Sequence, residues 1–333
     1  MAKSRNKTLD IYKGVLIILV FLRHVLQYSV SDEGGVLTNF IWAVQMPGFM
    51  LVAGYFAARK IGSAYDAGRR ILISLQYYAL PFVSWFLLIK ILLLGTENRN
   101  IIYGLLKLFT RIDSGLWFLW VVFILSIIAV LANCALSSNR GRIIKAGGTL
   151  IACLGMLLII ARFAGINSFG IKYILYYAIF YGFGWLVKWG EPLWKQWWLK
   201  TGNTITFFCL IVFLAIVFNF DLYQTDDRIV SIAMRAIAGF TGNAVLLVTC
   251  GRYTELLSKI KVDKIGMYTL EIYATHMCVN NLVEMEKGLF TLYGFWNFVA
   301  SLIITSVFTV VIIMTFKAIP LADLVFYGKK QKK

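Results

Sequence analysis

Leu9-Asp10-Ile11-Tyr12-Lys13-Gly14 is followed by the apolar residues 15–22 and then by Arg23-His24. This stretch decides the class of the chain. A helix needs about 20 apolar residues to cross a bilayer, and the run at roughly 9–30 is long enough. Similar runs recur at approximately 37–58, 71–94, 116–134, 148–164, 171–188, 204–220, 229–250, 266–283 and 297–318. A transmembrane barrel would show short alternating segments instead, and helices are the other way to satisfy a backbone in lipid. The expected fold is an all-α integral membrane protein. It is a bundle of about ten transmembrane helices forming a single domain over residues 1–333. Lys3, Arg5 and Lys7 precede the first run as in a signal peptide. Lys13, Arg23 and His24 interrupt that run, however, and no small-residue cleavage site follows, so a retained first helix is expected. Residues 101–109 read as an amphipathic helix lying on the membrane.

The composition agrees with this reading: 60% hydrophobic, 16% aromatic and 15% charged, against about 25% charged in soluble domains. The net charge of +17 would suit a nucleic-acid binder, but the basic residues alternate between loops rather than forming one patch. With the N-terminus inside, 22 of the 33 basic residues fall in inner segments and 6 in outer ones. This bias places both termini in the cytoplasm. The acidic groups Asp32–Glu33, Asp221–Asp226–Asp227 and Glu284–Glu286 fall outside. Cys134, Cys153, Cys209, Cys250 and Cys278 are scattered in or beside apolar runs. They show neither zinc spacing nor a disulfide framework.

Ionisable groups within spans cost several kcal/mol in lipid and so face an interior or a wet cavity. Lys13 and His24 are 11 positions apart, about 20° from three full turns, which puts them on one helix face about 16 Å apart. Asp10 and Tyr28 fall near that face. Asp10 and Lys13 would pair at the helix mouth, and the imidazole above them suits general base work. Packing inside a bundle would explain the same histidine. His276 closes the run Gly266-Met267-Tyr268-Thr269-Leu270-Glu271-Ile272-Tyr273-Ala274-Thr275-His276. Two histidines without a matching carboxylate set do not make a metal site. Gln45-Met46-Pro47-Gly48 interrupts the second helix, where proline kinks a helix and frees backbone carbonyls. Arg69 and Arg70 open the third helix, either as topology anchors or as a clamp for phosphate. Trp117 opens the fourth at an interface where tryptophan is common.

These residues resemble the acyltransferase 3 family of membrane-bound acyltransferases. Its first-helix signature is approximately Leu-Asp-x-x-Arg-Gly, an apolar stretch, then His, and this chain has Leu9, Asp10, Lys13, Gly14 and His24 at that spacing. Gly266 to His276 is similar to the family's Gly-x-x-Ser-Leu-x-Ile-Tyr-x-x-His, with Thr269 for serine. Gln45-Met46-Pro47 with Gly54-Tyr55, Leu116-Trp117-Phe118-Leu119 and residues 182–186 look like further family segments, in the family's order. The departures are Lys13 for arginine, Gln45 where histidine is common, and Ala67 at the first position of the family's Arg-x-x-Arg pair. Arg70 matches the second position and Arg69 is adjacent.

The resemblance implies a ten-helix core, without the soluble domains appended in some relatives. It also implies transfer of an acyl group, usually acetyl, from cytoplasmic acyl-CoA to a hydroxyl of an extracytoplasmic glycan or lipid-linked sugar. Acyl-CoA would be a donor substrate, with no metal. The setting would be the bacterial cytoplasmic membrane and the acceptor a component of the cell envelope. His24 matches the proposed catalytic histidine, served by Lys13 and Asp10. Arg69 and Arg70 would hold the CoA phosphates, and the pantetheine arm would reach through the bundle. Gln45, Trp117, Glu271, Tyr273 and His276 would line the acceptor side. Two other classes fit the same polar stripe: a transporter using it as a substrate or proton path, and a non-catalytic partner of a glycan-export complex.

Overall fold

The computed structural model describes residues 5–30, 35–93, 101–112, 116–137, 142–222, 229–283 and 294–329. Asp32, Glu33, Asp226, Asp227, Glu284, Glu286 and the 95–100 and 113–115 parts of the longest loop lie outside them. So do Lys3, Arg99, Arg140, Arg228, Lys287, Lys330, Lys332 and Lys333, and the side chain of Tyr28. In chain order the helices are α1 (Lys7–Val30), α2 (Val36–Ala57), α3 (Ala64–Ser74), α4 (Leu80–Phe86), α5 (Ile101–Thr110), α6 (Trp117–Leu136), α7 (Arg142–Ala164) and α8 (Ile171–Trp189). They continue with α9 (Glu191–Asn219), α10 (Ile229–Arg252), α11 (Thr254–Lys259), α12 (Val262–Ile265), α13 (Thr269–Val283), α14 (Gly294–Ala318) and α15 (Pro320–Tyr327). Turns of π-helix over Leu75–Ala79 and Leu87–Leu93 join α3 to α4 and extend it. No strand occurs among the described residues.

Each expected apolar run coincides with a helix. Among the described residues, 7 helices are long and apolar enough to cross a membrane: Val36–Ala57, Ala64–Lys90, Trp117–Leu136, Lys145–Ala164, Thr201–Asn219, Ile229–Arg252 and Gly294–Ala318. The remaining expected runs coincide with α1, α8 and α13. Several boundaries differ for local reasons. α2 is not interrupted at Pro47 but runs through it, since a proline removes one backbone donor and membrane helices tolerate that. α3 starts earlier than expected because Ser63 caps it: its hydroxyl accepts from the Asp66 amide at 3.1 Å and donates to the Asp66 carboxylate at 2.9 Å. α9 starts at Glu191–Pro192 rather than near 204, proline being suited to a first helical turn. α15, which the hydropathy pattern did not single out, follows Pro320 and stops at Gly328, whose φ of 66° suits a residue without Cβ.

The surface is inside-out relative to a soluble protein. On α14 the buried positions are Ser301, Thr305, Thr309 and Ile313, three of them small and polar, while Ile303, Val307 and Phe308 are 57%, 55% and 52% exposed. α7 exposes Ile151, Leu154, Met156, Leu158 and Ile159. In water such faces would be covered. In lipid, which is as apolar as leucine, small polar side chains turn inward and apolar ones outward. The chain is a multi-pass membrane protein.

It divides into two compact units, one of Met1–Val52 with Gly190–Ile313 and one of Ala53–Trp189 with Met314–Lys333. In the first unit α1 packs against α10, α11, α12 and α13, around Ile11, Tyr12, Leu16, Val52, Cys250 and Val262. A neighbouring cluster joins Ala43 and Val44 of α2 to Phe213, Ile216 and Val217 of α9 and Ala238 of α10. In the second unit the core is aromatic. Trp85 stacks on Phe316 at 5.7 Å and donates its indole N–H to the Phe326 carbonyl at 2.9 Å, seating α15. Asn133 of α6 donates to the Ala57 carbonyl at 2.8 Å and accepts from the Trp185 indole at 3.0 Å. It thereby fixes the end of α2 within this unit.

Candidate active site

The first unit contains most of the residues singled out from the sequence. At the start of α1, the Asp10 carboxylate receives Lys13 Nζ at 2.8 Å, as the spacing predicts. It also receives the Arg5 guanidinium, which the sequence reading did not assign a role. Arg5 thus brings a guanidinium to the carboxylate beside which Lys13 stands in place of the family's arginine. Charge-assisted pairs of this sort orient the groups more than they stabilise the fold, because Arg5 is half exposed and solvent screens it.

One turn on, Gly14 meets α12, and Gly266 meets α1. A Cβ on Gly14 would overlap the Val262 carbonyl, and one on Gly266 would overlap the Asp10 carbonyl and the Gly14 nitrogen. Both glycines therefore permit backbone-to-backbone approach. That approach sets the two histidine-bearing segments side by side. On the far part of α1, His24 faces His276 of α13, with ring centroids 5.3 Å apart at 49°. Phe21 and Tyr273 pack against the His276 ring at 5.6 Å and 6.1 Å. His276 is fully buried, and its Nδ1 lies 2.7 Å from the Ile272 carbonyl. A carbonyl only accepts, so Nδ1 carries the proton and Nε2 presents a lone pair. Gln27 also reaches the His24 ring through its side chain.

Glu271 is completely buried on α13, Tyr273 nearly so, and Gln45 is buried on α2 in the same unit. The Gln45 Oε1 has no hydrogen-bond partner among the described residues. Three further polar positions were missed. Arg23 is buried beside His24 and acts electrostatically on it; the rule applied to Lys13 and His24, that a charge in a span faces inward, applies to it equally. Tyr12 donates its hydroxyl proton to Asn243 Oδ1, and Asn243 Nδ2 donates to the Gly239 carbonyl at 2.7 Å. Gly48, after the helix-2 proline, lies where a Cβ would strike Asn243 and Leu16. An asparagine in an apolar helix was the available signal for this link.

Arg69, Arg70 and Trp117 belong to the second unit. Arg69 is exposed and Arg70 partly so, on the capped helix α3. Arg59, Asp66 and Arg69 all act electrostatically on Arg70, so the basic group contains a third arginine that the sequence reading did not select. Arg59 is oriented by its own hydrogen bond to the Phe56 carbonyl at 2.9 Å. In the same unit Lys188 Nζ donates to the Tyr55 hydroxyl at 3.2 Å and lies over its ring. Trp117 stacks on Tyr173 and Tyr177 at 4.8 Å and 5.3 Å. It is one member of an aromatic group at the start of α6 and α8. Among the described residues no group of three His, Cys, Asp or Glu could hold a metal ion.

A multi-pass helical membrane protein with two imidazoles facing each other inside one unit and an arginine group on another is the class that fold and site define. The chain belongs to the acyltransferase 3 family: that family's model, described as an acyltransferase domain, matches residues 6–317. Two curated relatives are similar over part of the chain. Both are named nodulation protein NolL. The one from Sinorhizobium fredii (strain NBRC 101917 / NGR234) is 32% identical over 134 residues, covering 36% of this chain and 35% of that protein. The one from Mesorhizobium japonicum (strain LMG 29417 / CECT 9101 / MAFF 303099) is 30% identical over 131 residues, covering 36% of this chain and 34% of that protein. The matched stretch is thus about a third of the length of these relatives. No solved structure matches the chain.

Proposed function

We propose that this protein is a transmembrane O-acyltransferase, moving an acyl group, acetyl in the first instance, from cytoplasmic acyl-CoA to a hydroxyl of an extracytoplasmic glycan or lipid-linked sugar. The proposed setting is the cytoplasmic membrane of a bacterium, with ten spans and both termini inside. The observation that carries the reading is the meeting of His24 and His276, which come from two segments that resemble the family's motifs and lie within the matched residues 6–317.

In this reading His24 is the general base. It takes the proton of the acceptor hydroxyl as the oxygen attacks the thioester carbonyl carbon. The carbon–sulfur bond then breaks, and the proton passes to the departing thiolate, leaving CoA thiol and the ester. Asp10 and Lys13 organise the entry of α1, with Arg5 as an added partner. Arg69 and Arg70, joined by Arg59, bind the donor's phosphates; guanidinium suits that task because its planar fork matches phosphate oxygens. Gln45, Glu271 and Tyr273 serve the acceptor from within the first unit, and Trp117 offers an aromatic face to a sugar ring.

The test supplies labelled acetyl-CoA to the cytoplasmic face of oriented vesicles that carry native glycan. Label in the polymer or lipid-linked sugar fraction is expected. Absence of label, together with absence of acetyl-CoA binding, contradicts the reading.

A further inference from the structure

The two imidazoles have complementary unfilled positions. His276 Nδ1 is committed to the Ile272 carbonyl, so its Nε2 can only accept. That Nε2 and His24 Nδ1 are both buried and have no hydrogen-bond partner among the described residues. Each ring nitrogen lies about 1.1 Å from its ring centroid, so rings 5.3 Å apart are close enough for an N–H···N bond of about 3 Å once the two nitrogens face each other. In this structure they are not hydrogen-bonded to each other, and the Gln27 side chain is the group that reaches the His24 ring. The Phe21 and Tyr273 rings against His276 restrict its rotation. The glycine contact of Gly14 and Gly266 holds the two helices at this spacing.

From this geometry we infer that His276 is a positioning residue: its Nε2 accepts the Nδ1 proton of His24, holding His24 in the Nδ1–H tautomer with its Nε2 lone pair presented to the acceptor hydroxyl. A base needs a bare nitrogen toward its substrate and a partner for its other N–H, a role often filled by a carboxylate. Here a second imidazole fills it, made a pure acceptor by a backbone carbonyl one turn away. The role in catalysis rests on the transferase reading above; the tautomer does not.

The chain contains only 2 histidines, which makes the tautomer directly readable. Full-length protein carrying ring-15N histidine, in nanodiscs, gives two imidazole spin systems. His276→Phe leaves the His24 signal alone. In the wild type both rings are expected as Nδ1–H tautomers. In His276→Phe, His24 is expected to move to a mixture in which Nε2–H predominates. In His276→Gln, whose amide oxygen can accept in place of Nε2, the Nδ1–H form should recover. Where transfer is measurable, His276→Phe should lower kcat about 10–100-fold with the acyl-CoA KM within twofold, the size typical of losing a group that orients a reacting ligand. His276→Gln should restore most of it.

A wild-type His24 in the Nε2–H form overturns the inference, even if His276→Phe fails to fold. So does an unchanged His24 tautomer in a folded His276→Phe protein. The expected tautomers with no acyl transfer would uphold the pairing and count against the transferase reading.

Discussion

The first unit buries its polar groups, and the second presents its basic ones. In the first, Asp10, Arg23, Gln45, Glu271, His276 and Asn280 are all buried, and glycines bring their helices together. In the second, Arg59 and Arg69 are exposed on and beside a helix held by a Ser63–Asp66 cap, over an aromatic core. On the proposed reading the difference separates two tasks. A buried imidazole can be oriented and kept from water, as proton transfer at a defined atom requires. An exposed arginine group can collect a soluble, multiply charged donor. The comparison predicts that variants in the first unit damage turnover and variants in the second damage donor binding.

The largest effect is expected at His24. His24→Ala should lower acyl transfer by roughly 10²–10⁴-fold, the usual contribution of a general base, with acetyl-CoA affinity within twofold. Next comes the arginine group. Arg69→Ala with Arg70→Ala should raise the acetyl-CoA KM about 10–100-fold, since a hydrogen bond to a charged group contributes about 1.5–3 kcal/mol; kcat at saturating donor should change little. A kcat loss without a KM change would erase the division of labour. Third, Gly14→Ala should force α1 away from Val262 and cost about 1–3 kcal/mol of stability through overpacking. A thermal midpoint in nanodiscs, measured with transfer activity, checks it. An unaltered midpoint with full activity would mean the close approach is not required. The smallest effect is at Tyr12. Tyr12→Phe removes the donor to Asn243 and should cost about 1–2 kcal/mol, read from the same midpoint, with transfer reduced no more than the folded fraction.

The fold was largely legible because the signal of a bilayer is coarse: each long apolar run became a helix. Boundaries were less legible where polar residues continue a helix, as over Glu191 to about 203, or where a cap starts one early, as at Ser63. The site was legible in its parts. Helical periodicity put Asp10 and Lys13 together, and the ion pair is present. It could not put His24 against His276, because no period relates residues 252 positions apart. That pairing depends on glycines whose importance is visible only as a clash avoided. Arg59 escaped notice because it lies 10 positions before Arg69 across a loop, and Asn243 because an asparagine in an apolar run has no partner until the fold supplies Tyr12.

The most direct test compares three proteins in oriented vesicles supplied with labelled acetyl-CoA at a saturating and a limiting concentration: wild type, His24→Ala, and the Arg69→Ala/Arg70→Ala double variant. The account predicts transfer by wild type at both concentrations. It predicts none above background by His24→Ala at either, and recovery of the double variant only at saturation. Transfer by His24→Ala at the wild-type rate would contradict it.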